Sequence, residues 1–152
     1  MVVFRLSRKK YAEDLSGKGA AIFGNRWNSK GVEMIYTAES RALAMAEVVV
    51  HLSLATLPDD YMMIAIEVPD SIQIELLNAK LLNEDWNSNP PGSHSQAVGN
   101  AFIHSKKSLV LKVPSAVVKG DFNYLFNPNH PEIDKIKIKN ITKFPFDTRI
   151  FK

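Results

Sequence analysis

The sequence predicts an α+β fold. Strand-like and helix-like segments follow one another without the regular rhythm of repeated βαβ units. Hydrophobic residues make up 45% of the chain and charged residues 23%, which is ordinary for a globular protein. A length of 152 residues is enough for one domain with a substantial core, so we predict a single domain over residues 1–152.

Short runs of β-branched, aromatic and other apolar residues predict the strands. These runs cover residues 2–6, 32–37, 61–68, 108–113 and 121–126. Near the C-terminus, Ile136, Ile138, Phe144 and Phe146 alternate with polar residues, which indicates one more strand. Pro145 places part of that strand at an edge or a bend.

The clearest predicted helix runs from Ser40 to about Ala55. Thr37 or Ser40 is its candidate N-cap, and the helix has to end before Pro58. A second, shorter helix is predicted over residues 93–105. Residues 7–31 are predicted to be mostly loop with one helical turn, and residues 71–92 to be irregular.

Several kinds of site are disfavoured by composition and spacing. The chain has no cysteine, which excludes disulfides, thiolate metal sites and cysteine nucleophiles. Its four histidines lack metal-ligand spacing, so we predict no metal site. Gly17 and Gly19 begin like a dinucleotide fingerprint, but Ile22 occupies the third glycine position. Gly19 and Gly24 have the spacing of a phosphate-binding loop, but Asn25 and Arg26 stand where Lys and Ser or Thr are needed.

Charge and hydropathy bear on partners and location. The net charge of +3 does not require a nucleic-acid partner, and it suits an anionic small molecule or an acidic protein. No apolar run approaches the length of a membrane span, and the N-terminus lacks the pattern of a secretory leader. We therefore expect a cytoplasmic protein that binds neither membrane nor nucleic acid directly.

Glu47 stands out without any knowledge of relatives. It is the only formally charged residue between Arg41 and Asp59, in a predicted helix that is apolar nearly all round. At about 100° per residue, Glu47 shares a narrow stripe with Leu43, Val50 and Leu54. Such a helix is normally buried, so its carboxylate must be neutral, paired or facing a cleft. Two interpretations stay open, a functional carboxylate and a structural ion pair.

Arg5 and Arg26 are the candidate partners of Glu47. Arg5 lies in the apolar first strand, and Arg26 lies in the loop sequence Gly24-Asn25-Arg26-Trp27-Asn28. A guanidinium presents a planar fork of donors that suits phosphate or carboxylate. A structural role is open for both, while the glycine and tryptophan beside Arg26 favour ligand binding there.

In their order along the chain, these segments resemble the RES domain family, named for its arginine, glutamate and serine. The resemblance extends from about residue 3 to residue 135. The matching stretches are Phe4-Arg5, residues 15–20, Gly24-Asn25-Arg26-Trp27-Asn28, residues 35–40, Ala44-Met45-Ala46-Glu47-Val48, residues 113–117 and residues 123–131. Asn25 stands where a second glycine is common in the family, and Asn100-Ala101-Phe102 stands where an acidic residue and a tryptophan are frequent.

The resemblance implies a fold, an activity and a partner. The fold is that of ADP-ribosyltransferases, a single compact domain with a split mixed β-sheet and flanking helices. Family members are toxins of bacterial toxin–antitoxin pairs that consume NAD⁺ by hydrolysis or phosphorolysis, and at least one type ADP-ribosylates a protein. The partner is an Xre-like helix-turn-helix antitoxin that blocks the cleft. NAD⁺ is then a substrate, and no cofactor is expected.

The resemblance also carries roles to individual residues. The expected catalytic residues are Glu47, Arg5 and Ser115, and the expected substrate-binding residues are Arg26 and Tyr36. Glu47 would stabilise the cation that develops on the ribose, while Arg5 and Arg26 would clamp the pyrophosphate or the attacking nucleophile. Tyr36 would contact the nicotinamide or ribose, or simply fill the core. Ser115 would hydrogen-bond the substrate, or simply shape a turn.

A second class of function stays open beside the enzyme. In a non-catalytic binding module, Glu47 and the arginines would form a structural network. Such a module binds NAD⁺ without releasing nicotinamide, so an assay for nicotinamide release separates the two.

Overall fold

The computed structural model describes residues 1–151 and places seven strands in one sheet. The strands are β1 (Val2–Arg8), β2 (Ile35–Ala38), β3 (Tyr61–Glu67), β4 (Ile74–Leu76), β5 (Val110–Pro114), β6 (Phe122–Phe126) and β7 (Lys137–Lys143). Their spatial order is β4-β5-β6-β2-β1-β3-β7. All neighbours are antiparallel except β4 and β5, which are parallel, so the sheet is mixed.

The sheet is split between β1 and β2. β1 pairs with β3 along its whole length, from Val2 opposite Glu67 to Arg8 opposite Tyr61. It pairs with β2 only where Phe4 faces Ala38. The sheet therefore consists of two halves that meet at one residue pair, and the predicted split mixed sheet is confirmed.

Helices α1 (Lys18–Phe23), α2 (Arg41–Val49) and α3 (Ser93–Ser105) accompany the sheet. Ser40 is the N-cap of α2, because its hydroxyl accepts the N–H of Leu43 at 3.0 Å. The limits predicted for α3 are confirmed.

The predicted extension of α2 to about Ala55 is wrong, since the helix ends at Val49. The run Val48-Val49-Val50 is β-branched and disfavours helix. The N–H groups of His51 and Leu52 then bond to the carbonyls of Val48 and Val49, three residues back, as in the tightened last turn of a helix. Leu54–Thr56 forms a separate 3₁₀ turn.

α2 packs against the sheet through one face only. Leu43 and Ala44 are buried against Leu6, Ala38 and Met63, which come from β1, β2 and β3. Val50 and Leu54, predicted to continue the buried stripe, are 55% and 54% exposed. The prediction of a helix buried all round is therefore wrong, and Glu47 lies half-buried at the margin of the core.

The remaining differences concern element limits. The structure adds β4 within the stretch predicted to be irregular, and it extends β1 to Arg8. β2 begins at Ile35 rather than residue 32, and β7 ends before Phe144. Phe144 and Phe146 instead pack edge to face beyond the strand, with Tyr61 against Phe146. Within residues 1–151, no helix is both long enough and apolar enough to cross a membrane.

Candidate active site

A hydrogen bond joins Ser115 and Glu47, which are far apart in the sequence. The Ser115 hydroxyl donates to Oε1 of Glu47 at 2.7 Å. The same hydroxyl oxygen accepts the N–H groups of Val117 at 3.1 Å and Val118 at 3.0 Å. Because both lone pairs are occupied in this way, the single hydroxyl proton is directed at the carboxylate. Ser115 thus fixes the orientation of Glu47.

Two elements bring these side chains together. Glu47 lies on the last turns of α2, and Ser115 directly follows Pro114, the last residue of β5. Ser115 is 4% exposed, and its N–H donates to the Asp121 carbonyl at 2.9 Å, which closes the loop between β5 and β6. The carboxylate is therefore supported from a rigid, buried position on the other half of the sheet.

Arg26 lies in the loop between α1 and β2, close enough to Glu47 to sense its charge. Burial lowers the pKa of the Arg26 guanidinium, and the negative charge of Glu47 acts in the opposite direction. Its Nη1 donates to the carbonyls of Trp86 at 3.0 Å and Ser88 at 2.9 Å. The guanidinium is thus held by main-chain oxygens, and the charge of Glu47 acts on it.

The ion pairs of residues 1–151 leave Glu47 out. They join the N-terminal amine with Asp70, Arg8 with Asp60, Lys135 with Glu132, and Arg149 with Asp147. The contact that Glu47 does make is the hydrogen bond from Ser115. This arrangement favours the interpretation of Glu47 as a functional carboxylate over that of a structural ion pair.

Tyr36 reaches the Arg26 loop from β2. Its hydroxyl donates to Oδ1 of Asn28 at 2.6 Å and accepts the N–H of Trp27 at 3.0 Å. Burial raises the pKa of Tyr36, partly offset by the hydrogen bond from Trp27 and the nearby charge of Arg26. The hydroxyl therefore stays protonated and engaged with the loop.

Arg5 is committed to a different segment. Its Nη1 donates to the Asp14 carbonyl at 2.5 Å and its Nη2 to the Tyr11 carbonyl at 3.3 Å. Burial lowers its pKa, and the charge of Asp14 acts in the opposite direction. The structure thus joins Glu47 to Ser115 by a hydrogen bond, and the charge of Glu47 acts on Arg26. The described hydrogen bonds of Arg5 instead hold the chain after β1.

No sequence pattern identifies the carbonyls that hold Arg26. Trp86 and Ser88 lie in the stretch predicted to be irregular, and they contribute main-chain oxygens, which every residue type has. Asn28 belongs to the Gly24-Asn25-Arg26-Trp27-Asn28 stretch, but the sequence does not indicate that its side chain is fully buried. Among residues 1–151, no three His, Asp or Glu side chains are grouped so as to hold a metal ion.

Comparison with known proteins gives this geometry a context. Residues 2–148 match the RES domain. The chain belongs to the RES domain family. Two RES relatives are similar along nearly their whole length: the Prs ADP-ribosylating toxin of a Sphingobium species, at 39% identity over 96% of this chain and 92% of that protein, and Toxin Res of Pseudomonas putida, at 37% identity over 99% and 100%.

A solved structure extends the comparison to the fold. The RES chain superposes on a chain of the M. tuberculosis MbcT–MbcA toxin–antitoxin complex with a TM-score of 0.75. The similarity covers 99% of this chain and 86% of that one. At 22% sequence identity it speaks for the fold alone, and it agrees with the predicted α+β class and split mixed sheet.

Proposed function

We propose that this RES protein is a bacterial toxin that cleaves the nicotinamide–ribose bond of NAD⁺. The observation that carries the proposal is the carboxylate of Glu47, oriented by the hydrogen bond from Ser115. The whole-length similarity to proteins named as toxins supports the biological role. We place this activity in the cytoplasm, where NAD⁺ is plentiful.

The chemistry needs a fixed negative charge more than it needs a strong base. Nicotinamide leaves NAD⁺ as a neutral molecule, so positive charge moves to the anomeric carbon and ring oxygen of the ribose. A carboxylate already oriented beside that atom stabilises the charge without having to reorganise. The Ser115 hydrogen bond supplies that orientation for Glu47. Arg26 then has the charge and the fork of donors to bind the pyrophosphate.

The nucleophile decides the products. Attack by water gives ADP-ribose, nicotinamide and a proton, whereas attack by phosphate gives ADP-ribose 1″-phosphate and nicotinamide. Both reactions break the same bond and use the same carboxylate. NAD⁺ is the substrate in each case, and neither route requires a cofactor.

A second candidate reaction is transfer of ADP-ribose to a protein. Its specific support is the name of the Sphingobium relative, Prs ADP-ribosylating toxin, at 39% identity. The bond that breaks is again the nicotinamide–ribose bond, and a protein side chain replaces water or phosphate as acceptor. The two candidates therefore differ in the product rather than in the role of Glu47.

Product analysis tests these candidates together. Purified protein is incubated with NAD⁺ labelled in the adenylate, with and without phosphate and with and without a cell extract. Free ADP-ribose or its 1″-phosphate supports cleavage, and label retained on protein supports transfer. Binding of NAD⁺ without release of nicotinamide would refute both and leave the binding module.

We further propose an Xre-like helix-turn-helix antitoxin as the physiological partner. The structural neighbour comes from a toxin–antitoxin complex, which supports a partner of that kind. The antitoxin would bind over the cleft at Glu47 and Arg26 and exclude NAD⁺. To test the pairing, the protein encoded by the neighbouring gene is added, and inhibition of nicotinamide release is measured.

A further inference from the structure

The loop that carries Arg26 is held from within by one buried amide. Asn28 is 0% exposed, and its Nδ2 donates to the carbonyls of Ala20 and Val32, both at 2.9 Å, and to that of Ser29 at 3.3 Å. Its Oδ1 accepts the Tyr36 hydroxyl proton at 2.6 Å. A single side chain thereby ties α1, the segment before β2, and β2 itself to the loop.

Tyr36 carries this connection to the residue next to Arg26. The oxygen that donates its proton to Asn28 accepts the N–H of Trp27 at 3.0 Å. On the other side of Arg26, the N–H of Asn25 donates to the Asn28 carbonyl at 2.9 Å. Both main-chain neighbours of Arg26 are therefore fixed, Trp27 through Tyr36 by the Asn28 side chain and Asn25 by the Asn28 main-chain carbonyl.

α3 supports the same loop from outside. Gln96 donates to the Asn25 carbonyl at 3.0 Å, and Asn100 accepts the N–H of Ser29 at 3.0 Å. Gly99 lies between them on this helix face and touches the loop so closely that a Cβ atom would come 1.7 Å from the Trp27 carbonyl oxygen. The loop is thus enclosed between α3 and the pair formed by Asn28 and Tyr36.

We propose that Asn28 is a positioning residue that sets the direction of the Arg26 guanidinium for an anionic, pyrophosphate-bearing ligand. The inference rests on the proposed function, because that function gives Arg26 its ligand. The carbonyls of Trp86 and Ser88 hold the guanidinium at Nη1, while the hydrogen-bonded main chain on both sides of Arg26 holds the base of its side chain. A guanidinium held at both ends loses little further freedom when an anion binds.

The same geometry assigns Tyr36 to positioning rather than to proton transfer. The Tyr36 hydroxyl donates its proton to Oδ1 of Asn28, and its oxygen accepts the N–H of Trp27. Tyr36 therefore acts on the substrate through the Arg26 loop.

A double-mutant cycle with ADP as the probe tests the proposal. The dissociation constant of ADP is measured by calorimetry for wild type, Asn28→Ala, Arg26→Ala and the double variant. We expect Asn28→Ala to weaken ADP binding about tenfold, Arg26→Ala to weaken it more, and the double variant to match Arg26→Ala alone. A purely structural role would weaken binding by the same factor in both backgrounds, which would overturn the proposal.

Asn127→Ala is the matched control. Asn127, directly after β6, is also a fully buried amide, but its Nδ2 donates to the Ile103 carbonyl near the end of α3 and not to the Arg26 loop. We expect it to reduce stability while leaving ADP affinity unchanged. Equal weakening by Asn127→Ala and Asn28→Ala would mean that general loosening, rather than the aim of Arg26, explains the effect.

Amide hydrogen exchange gives a readout that needs neither ligand nor turnover. We expect faster exchange at Trp27 in Asn28→Ala and in Tyr36→Phe, which interrupts the same connection and serves if Asn28→Ala fails to fold. Unchanged exchange at Trp27 would overturn the proposal. Coupled ADP binding in a protein that releases no nicotinamide would refute the proposed function and leave the positioning role intact.

Discussion

Glu47 combines partial exposure with a fixed orientation, and that combination has a measurable consequence. Its carboxylate receives the Ser115 proton from a buried position while part of its surface remains open to a ligand. In Glu47→Gln the amide oxygen still accepts from Ser115, but the negative charge is gone. We therefore expect a folded protein whose NAD⁺ turnover falls by about 10²–10³, as when one preorganised electrostatic group is removed.

The comparison that isolates this effect is Glu39→Gln. Glu39 accepts the N–H of Phe122 at 3.0 Å just before α2, so the substitution again removes a charge and keeps an acceptor. We expect near wild-type turnover from Glu39→Gln. A Glu47→Gln protein that melts much earlier but retains its specific activity would refute the catalytic role and restore the ion-pair interpretation.

Replacement of Ser115 is expected to lower both turnover and stability. Ser115→Ala leaves Glu47 charged but free to rotate, and it removes the acceptor of the Val117 and Val118 amides. We expect turnover to fall less than in Glu47→Gln, and stability to fall by about 1–3 kcal/mol, because each of the two lost hydrogen bonds from Val117 and Val118 typically contributes about 0.5–1.5 kcal/mol. Steady-state kinetics and urea unfolding measure the two effects.

Ser95→Ala separates the two effects of the Ser115 substitution. Ser95 in α3 is also buried, and its hydroxyl donates to the carbonyl of Gly92, the N-cap of that helix. We expect it to affect stability and not turnover. Wild-type turnover in Ser115→Ala would show that Glu47 needs no orienting donor.

The sequence predicted the site residues unevenly at this scale. A lone carboxylate in an apolar helix made Glu47 visible, because such a charge needs an explanation wherever it lies. Its bond to Ser115 spans 68 positions, and no local pattern encodes a contact of that separation. The apolar helix also suggested a deeper burial than Glu47 has, because periodicity does not say how many faces of a helix other elements cover.

At the scale of elements, two glycines lie in helices with very different surroundings. Gly99 lies inside α3 where a Cβ would meet the Trp27 carbonyl oxygen at 1.7 Å. Gly19 lies in α1 with open space around its missing Cβ. Alanine favours a helix by about 1 kcal/mol over glycine, so space alone decides the outcome of each substitution.

We therefore expect Gly19→Ala and Gly99→Ala to change stability in opposite directions. Gly19→Ala should stabilise by about 0.5–1 kcal/mol. Gly99→Ala should destabilise by about 1–3 kcal/mol or more, because α3 must move off the Arg26 loop. Urea unfolding of both variants checks the signs, and a stabilised Gly99→Ala protein would contradict the close approach of α3 to Trp27.

Elements with strong local signals were predicted well, and those defined by distant contacts were not. α3 follows a firm Asn-Pro-Pro-Gly breaker and was placed at its observed limits. β4 has three residues and exists by pairing with β5, so nothing in Ile74-Glu75-Leu76 distinguishes it from loop. β7 is an edge strand, and its lysines discourage pairing with other chains.

At the scale of the whole molecule, the site draws on distant parts of the chain. Ser115 follows β5, Glu47 lies on α2, and Arg26 lies in the loop before β2, where Tyr36 contacts its neighbours. Among residues 1–151, the site is assembled from carboxylate, hydroxyl, guanidinium and main-chain groups without a cluster of metal ligands. In the proposed reaction, the bond to be cleaved already carries a cationic leaving group, so that reaction has no need of a Lewis acid.

That chemistry predicts turnover without added metal. The purified protein should consume NAD⁺ at the same rate in buffer and in excess chelator. Adding a divalent ion after the chelator should leave the rate unchanged. Activity that disappears in chelator and returns with the ion would contradict the proposed mechanism.

The toxin role predicts growth arrest that depends on turnover. Production of the wild-type chain alone in bacteria should lower cellular NAD⁺ and stop growth, since a catalyst depletes a pool far larger than its own concentration. Glu47→Gln, produced at the same soluble level, should leave both NAD⁺ and growth unaffected because it retains the fold and lacks the charge. Co-production of the partner encoded beside the gene should restore growth with the wild-type chain. Arrest by Glu47→Gln at unchanged NAD⁺ would point instead to harm caused by binding, and normal growth with abundant folded wild-type protein would refute the toxin proposal.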